Sequence, residues 1–100
     1  MSYSFVYSRG FKKHYKKLSV PEKKQVANKL ELLAKNPTHP SLRTKRIQGT
    51  DSLFESSANM DIRIIWYYED NRIIFLVDIG HHDILALVPI HQLYALLFSF

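Results

Sequence analysis

One hundred residues, 46% hydrophobic and 23% charged, have the composition of a single globular domain over residues 1–100 and exclude a chiefly disordered chain. The absence of cysteine excludes a disulfide framework, a thiolate metal site and a cysteine nucleophile. No apolar run reaches the roughly 18 residues of a membrane-spanning helix, and the opening Met1-Ser2-Tyr3-Ser4-Phe5 lacks a basic-then-apolar leader, so neither membrane span nor signal peptide is expected.

Net charge is +5, unevenly divided. Residues 1–46 carry twelve Lys/Arg and two Glu, a balance of +10, whereas residues 47–100 carry two Arg and seven Asp/Glu, a balance of −5. The basic half suits a polyanionic partner such as nucleic acid, or is a Lys-rich solvated surface.

Tyr3, Phe5 and Tyr7 alternate with Ser4 and Val6, which predicts a strand. Ser8 can cap a helix with Phe11, Tyr15 and Leu18 on its apolar side and Lys12, Lys13, Lys16 and Lys17 around the rest. Ser19 and Glu22 have capping-box spacing, with Pro21 in the first turn, and open a second helix carrying Val26, Leu30, Leu33 and Ala34. Asn36-Pro37 stops it. Residues 37–52 read as irregular, with Arg43, Lys45 and Arg46 among Pro37, Pro40 and Gly49. Leu53–Ala58 and Ile62–Tyr68 read as strands, Glu69-Asp70-Asn71 as a hairpin turn, and Arg72–Ile79 as a central strand buried on both faces and ended by Gly80. Pro89 starts a short last helix with Leu93, Leu96 and Leu97. The order β-α-α-β-β-β predicts an α+β domain: an antiparallel β-sheet of about four strands with two N-terminal helices packed on one face.

Gly80-His81-His82-Asp83 places imidazoles at the rim of the sheet, where histidine can transfer protons near neutral pH or can simply cap the strand and pack on an aromatic ring. Adjacent histidines on a strand face opposite ways, so His81, His82, Asp83 and His91 make a poor metal set. Arg43, Lys45 and Arg46, with Arg63, supply the cations that phosphodiester cleavage needs; the alternative is a solvated basic loop with Arg63 paired to Asp61 or Glu69. Of Trp66-Tyr67-Tyr68, which could stack on bases, Trp66 and Tyr68 share a face with Ile64 and suit the core.

Together these residues resemble the RelE/ParE superfamily of small toxins from bacterial toxin–antitoxin pairs, over nearly the whole chain. His39-Pro40-Ser41-Leu42 followed by Lys45-Arg46-Ile47-Gln48-Gly49 is similar to the family's loop into the sheet. Asp61-Ile62-Arg63-Ile64-Ile65-Trp66-Tyr67 resembles its D-Y-R-(apolar)-(apolar)-(aromatic) strand, and Ile79-Gly80-His81-His82-Asp83-Ile84-Leu85 its G-x-H closing motif. The resemblance implies a cytoplasmic, metal-free and cofactor-free endoribonuclease. It would cleave mRNA on the ribosome by 2′-hydroxyl attack and be held in check by a cognate antitoxin. It implies His82 as general acid, Lys45 as general base or charge, Arg63 and Arg46 as phosphate ligands and Asp61 at the family's acidic position. Arg43 and the lysines 12, 13, 16 and 17 would bind RNA. Ser57 stands where some ribonuclease members carry histidine, and aliphatic residues follow the closing motif where an aromatic is common. The superfamily's other branch, DNA gyrase inhibitors without a nuclease site, is the alternative.

Overall fold

A computed structural model describes residues 2–82. The helix expected from Pro89, with Leu93, Leu96 and Leu97, lies outside the described residues, as do Asp83 and His91. The elements are β1 (Ser4–Tyr7), α1 (Arg9–Lys16), α2 (Val20–Lys35), a 3-10 turn (Pro40–Leu42), β2 (Lys45–Arg46), β3 (Phe54–Ser57), β4 (Ile62–Tyr68) and β5 (Ile73–His81).

The capping signals act as the sequence predicts. The Ser8 hydroxyl accepts from the Phe11 amide at 2.9 Å. Ser19 and Glu22 close a full capping box at the start of α2. Asn36, forced out of helical geometry by the proline after it, ends α2 with φ −153° and ψ 85°.

The α+β class holds, but the sheet differs from the expected one in two ways. It has five strands, in the order β1-β5-β4-β3-β2. One pairing is parallel, β1 with β5, while the others are antiparallel. The extra strand, β2, has only two residues, too few for alternation to register in a sequence. The helical pair carries the chain back so that β1 runs alongside β5 in the same direction, Ser4 opposite Ile73 and Tyr7 opposite Leu76.

Phe11, Val26, Leu33 and Leu42 meet Ile62, Ile64, Trp66, Ile74, Leu76 and Ile79 in the main core on the helix side of the sheet. The other face, the open face, is covered by none of the described helices and carries a smaller cluster of Leu53 and Ile65 with Ile47, Tyr67 and Val77. β5 is therefore not buried on both faces as its apolar run suggests: Ile74, Leu76 and Ile79 are buried, whereas Ile73, Phe75 and Val77 are only half-buried.

A bulge in β5 sets the geometry of the site. Trp66 pairs with Leu76 and Ile65 with Asp78, so Val77 is the extra residue. The insertion shifts the alternation, and Leu76 and Ile79, three apart, both reach the core. β1 ends at this point, and α1 takes over the edge. The Ser8 amide donates to Leu76 O at 3.0 Å and its hydroxyl to Val77 O at 2.6 Å. Further along α1, His14 Nδ1 lies 2.6 Å from Asp78 Oδ1. Nor does Gly80 end the strand, because β5 continues to His81, with Gly80 opposite Arg63 and His81 opposite Ile62.

Candidate functional site

Strand alternation decides which basic residues can act together. Lys45 lies opposite Glu55, and Glu55 opposite Ile65. Ser57 lies opposite Arg63 on one side, and Gly80 opposite it on the other. Lys45, Glu55, Ser57 and Arg63 thus share the open face. Gly80 adds no side chain beside the guanidinium.

Arg63 is held from two directions. Its Nε lies 3.3 Å from Glu55 Oε1, and its Nη1 donates to Asn59 O at 2.9 Å and Ile62 O at 3.3 Å. Both side chains of the ion pair are about one-fifth exposed (18% and 21%), so an anion can still approach them. Glu55 was not among the sequence-derived candidates, which paired Arg63 with Asp61 or Glu69. The signal was present in the alternation of Phe54, Glu55, Ser56 and Ser57, but it depends on a cross-strand register that the sequence does not state.

Arg46 does not join this group. It pairs with Phe54 on the helix side, its guanidinium carbon 5.8 Å from the Phe54 ring centroid. Adjacent residues of one strand point opposite ways, and this separates it from Lys45.

Asp61 is also engaged elsewhere. Its carboxylate meets His81 Nδ1, and Glu22 Oε2 lies 3.5 Å from His81 Nε2, so His81 bridges the end of the sheet to the start of α2. His82, just past β5, is exposed, and its amide donates to Asp61 O at 2.6 Å. Among the described residues no group of three His, Cys, Asp or Glu is arranged to hold a metal ion. None of the described helices is long and apolar enough to cross a membrane.

The remaining candidates lie on other surfaces. Lys12, Lys13, Lys16 and Lys17 are exposed along α1 and just past its end. Lys12 and Lys16 edge an apolar groove of about 690 Å³ floored by Phe5, Tyr7, Phe11, Tyr15 and Leu30. Arg43 follows the 3-10 turn in left-handed geometry, φ 48° and ψ 41°, and lines a small cleft of about 180 Å³ with Lys29. Trp66 is fully buried and stacks on Phe54, which fixes its role in the core. Tyr67 stacks on Phe75 on the open face. Burial, then a hydrogen bond with Glu69, raises the Tyr67 phenol above its ordinary pKa.

No protein-family model matches the sequence, and no curated protein sequence does so. Solved structures do match. One is a chain of the Escherichia coli DinJ–YafQ toxin–antitoxin complex: 17% identity, 89% of this chain and 100% of that one covered, TM-score 0.69. Another is a mutant of the E. coli toxin RelE in the free state: 14% identity, 95% and 93% covered, TM-score 0.66. A third is a YoeB/ParE toxin from Agrobacterium tumefaciens: 7% identity, 79% and 98% covered, TM-score 0.68. At these identities the likeness is one of fold.

Proposed function

We propose that this chain, whose fold is that of the RelE/ParE toxins, is the toxin of a toxin–antitoxin pair and cleaves messenger RNA on the ribosome without a metal. The observation that carries the reading is that Lys45 and Arg63 lie on the same face of the sheet, on β2 and β4, on either side of β3.

In this reading Arg63 binds the non-bridging oxygens of the scissile phosphate and stabilises the charge that builds on them. The 2′-oxygen attacks phosphorus and the bond to the 5′-oxygen breaks, leaving a cyclic phosphate and a free 5′-hydroxyl. Lys45 takes the 2′-hydroxyl proton when neutral; when protonated it acts as a second cation. His82 gives a proton to the departing 5′-oxygen. Support for His82 is its exposed position just past the end of β5, two residues beyond the pairing of Gly80 with Arg63. Asp61 acts as a positioning residue, through His81 and through the His82 amide. Arg46 contributes only to the overall positive field. The lysines of α1 would hold ribosomal RNA phosphates, with binding that weakens steeply as salt rises.

The partner would be an antitoxin with an acidic, amphipathic arm. Its apolar side would suit the groove floored by Phe11 and Tyr15, and its carboxylates Lys12 and Lys16 at the edge. Both proteins would act in the cytoplasm.

One observation favours the second reading, a gyrase inhibitor without nuclease chemistry. Glu55 partly neutralises Arg63, and Arg46 faces away. Induced expression of the unaltered chain and of His82→Ala, with mapping of messenger RNA 5′ ends, separates the two. The nuclease reading expects new 5′ ends that His82→Ala abolishes. Growth arrest with an unchanged RNA profile would reject it and select the gyrase inhibitor.

A further inference from the structure

The cleft at Arg43 borders the Lys45–Arg63 face, and its chemistry is one-sided. Lys29 from α2, Ser41 and Arg43 from the segment around the 3-10 turn, and Ser57 from β3 line it, with Asn59 at the β3–β4 turn. Its lining has two cations and no carboxylate. Neither Lys29 nor Arg43 forms an ion pair with a carboxylate among the described residues. Two uncompensated cations in a concave site concentrate positive potential there.

Size narrows the ligand. The cleft's 180 Å³ is below the roughly 300 Å³ at which pockets for whole small molecules begin. It takes one charged group of a larger ligand. A phosphate, an acceptor on every side, suits a site lined by a guanidinium and an ammonium and by no carboxylate.

Position narrows it again. Ser57 lines the cleft and is also the cross-strand neighbour of Arg63, and the Asn59 carbonyl that accepts from Arg63 belongs to another lining residue. The cleft and the open face therefore meet at Ser57 and Asn59. Asn59 is rigidly set: its Oδ1 accepts from the Asp61 and Ile62 amides at 2.8 and 2.6 Å, and its Nδ2 donates to Gln25 on α2 at 2.8 Å.

We propose that Lys29 and Arg43 form a second phosphate site, which holds a backbone phosphate of the same RNA strand whose scissile linkage lies at Arg63. This deepens the nuclease reading and rests on it. The site fixes strand direction across the sheet and reads no base.

The test is binding of a short single-stranded oligoribonucleotide to the full chain, followed by fluorescence anisotropy over a range of potassium chloride concentrations. Lys29→Gln and Arg43→Gln each remove one charge and keep helix propensity or backbone geometry little changed. Lys24→Gln, an exposed lysine on α2 outside the cleft, makes the same change in net charge. Circular dichroism confirms folding of each. Lys29→Gln and Arg43→Gln together are expected to weaken binding at least tenfold and to lower the salt slope by about 0.7 for the lost phosphate contact. Lys24→Gln is expected to change affinity less than twofold. Equal effects of cleft and control variants would overturn the site while leaving RNA binding in place. Failure of the unaltered chain to bind RNA would overturn the nuclease reading and the site with it.

Discussion

The indole Nε1 of Trp66 donates to the Ser56 hydroxyl at 2.8 Å, at a place where both residues are fully buried. The direction of the whole chain of bonds follows. Thr44 Oγ1 donates to Pro37 O at 2.7 Å, so it must accept from Ser56 Oγ, 2.8 Å away. A relay runs from the core of β4 through β3 to the loop after α2, and it pins that basic loop to the sheet. Ser56→Ala leaves the indole N–H without its acceptor. It is expected to lower stability by about 1–3 kcal/mol in urea unfolding. Ser56→Ala with Trp66→Phe is expected to cost less than the two single changes added together.

His14 and Asp78 tie α1 to the bulged part of β5, where β1 no longer covers the edge. Asp78 also accepts from the Ile79 amide at 2.8 Å. With the His14 side chain 41% exposed, solvent screens much of this pair. Asp78→Asn is expected to cost about 1 kcal/mol, read as a lower urea midpoint with an unchanged slope.

The capping box at the start of α2 predicts a pH response. Hydrogen bonds from the Ser19 amide, then from its hydroxyl, hold the Glu22 carboxyl below its ordinary pKa, and His81 adds to this. A depressed folded-state pKa means stability that is present above the ordinary glutamate value, about 4.3, and is lost as pH falls through the lower folded value. Acid titration followed by circular dichroism should show this loss. Glu22→Gln, which keeps the hydrogen bonds without titrating, should flatten that part of the curve.

Glu55 competes with any anion for Arg63. Glu55→Gln removes the competing charge. A partly exposed pair of this kind is worth up to about 1 kcal/mol, so affinity for single-stranded RNA is expected to rise about two- to fivefold. Unchanged affinity would mean that RNA does not reach Arg63.

The two adjacent histidines are expected to behave differently. His81 joins Asp61 to Glu22, so His81→Ala should lower the melting temperature and change cleavage less than tenfold. His82→Ala should cut the single-turnover cleavage rate about 100-fold or more.

Local signals carried much of this fold into the sequence. Ser8, the Ser19–Glu22 box and Asn36-Pro37 mark the helix ends, and alternation around Trp66 marks its place in the core. What stayed hidden was non-local. The bulge at Val77 reverses the expected parity of everything after it, and no residue type announces it. Arg46 looks like a companion of Lys45 until pairing with Phe54 fixes its side. Glu55 has no motif spacing to Arg63, because its nearness is made by register.

The parallel pairing of β1 with β5 bears on how the chain acquires its shape. The first strand emerges from synthesis with its partner, Ile73–Leu76, still some seventy residues away. Until those residues arrive, Tyr3, Phe5 and Tyr7 have only the helical hairpin to lean on, and a polypeptide cut short before Ile73 cannot complete the sheet. Assembly of the cationic face thereby waits until β5 has been made.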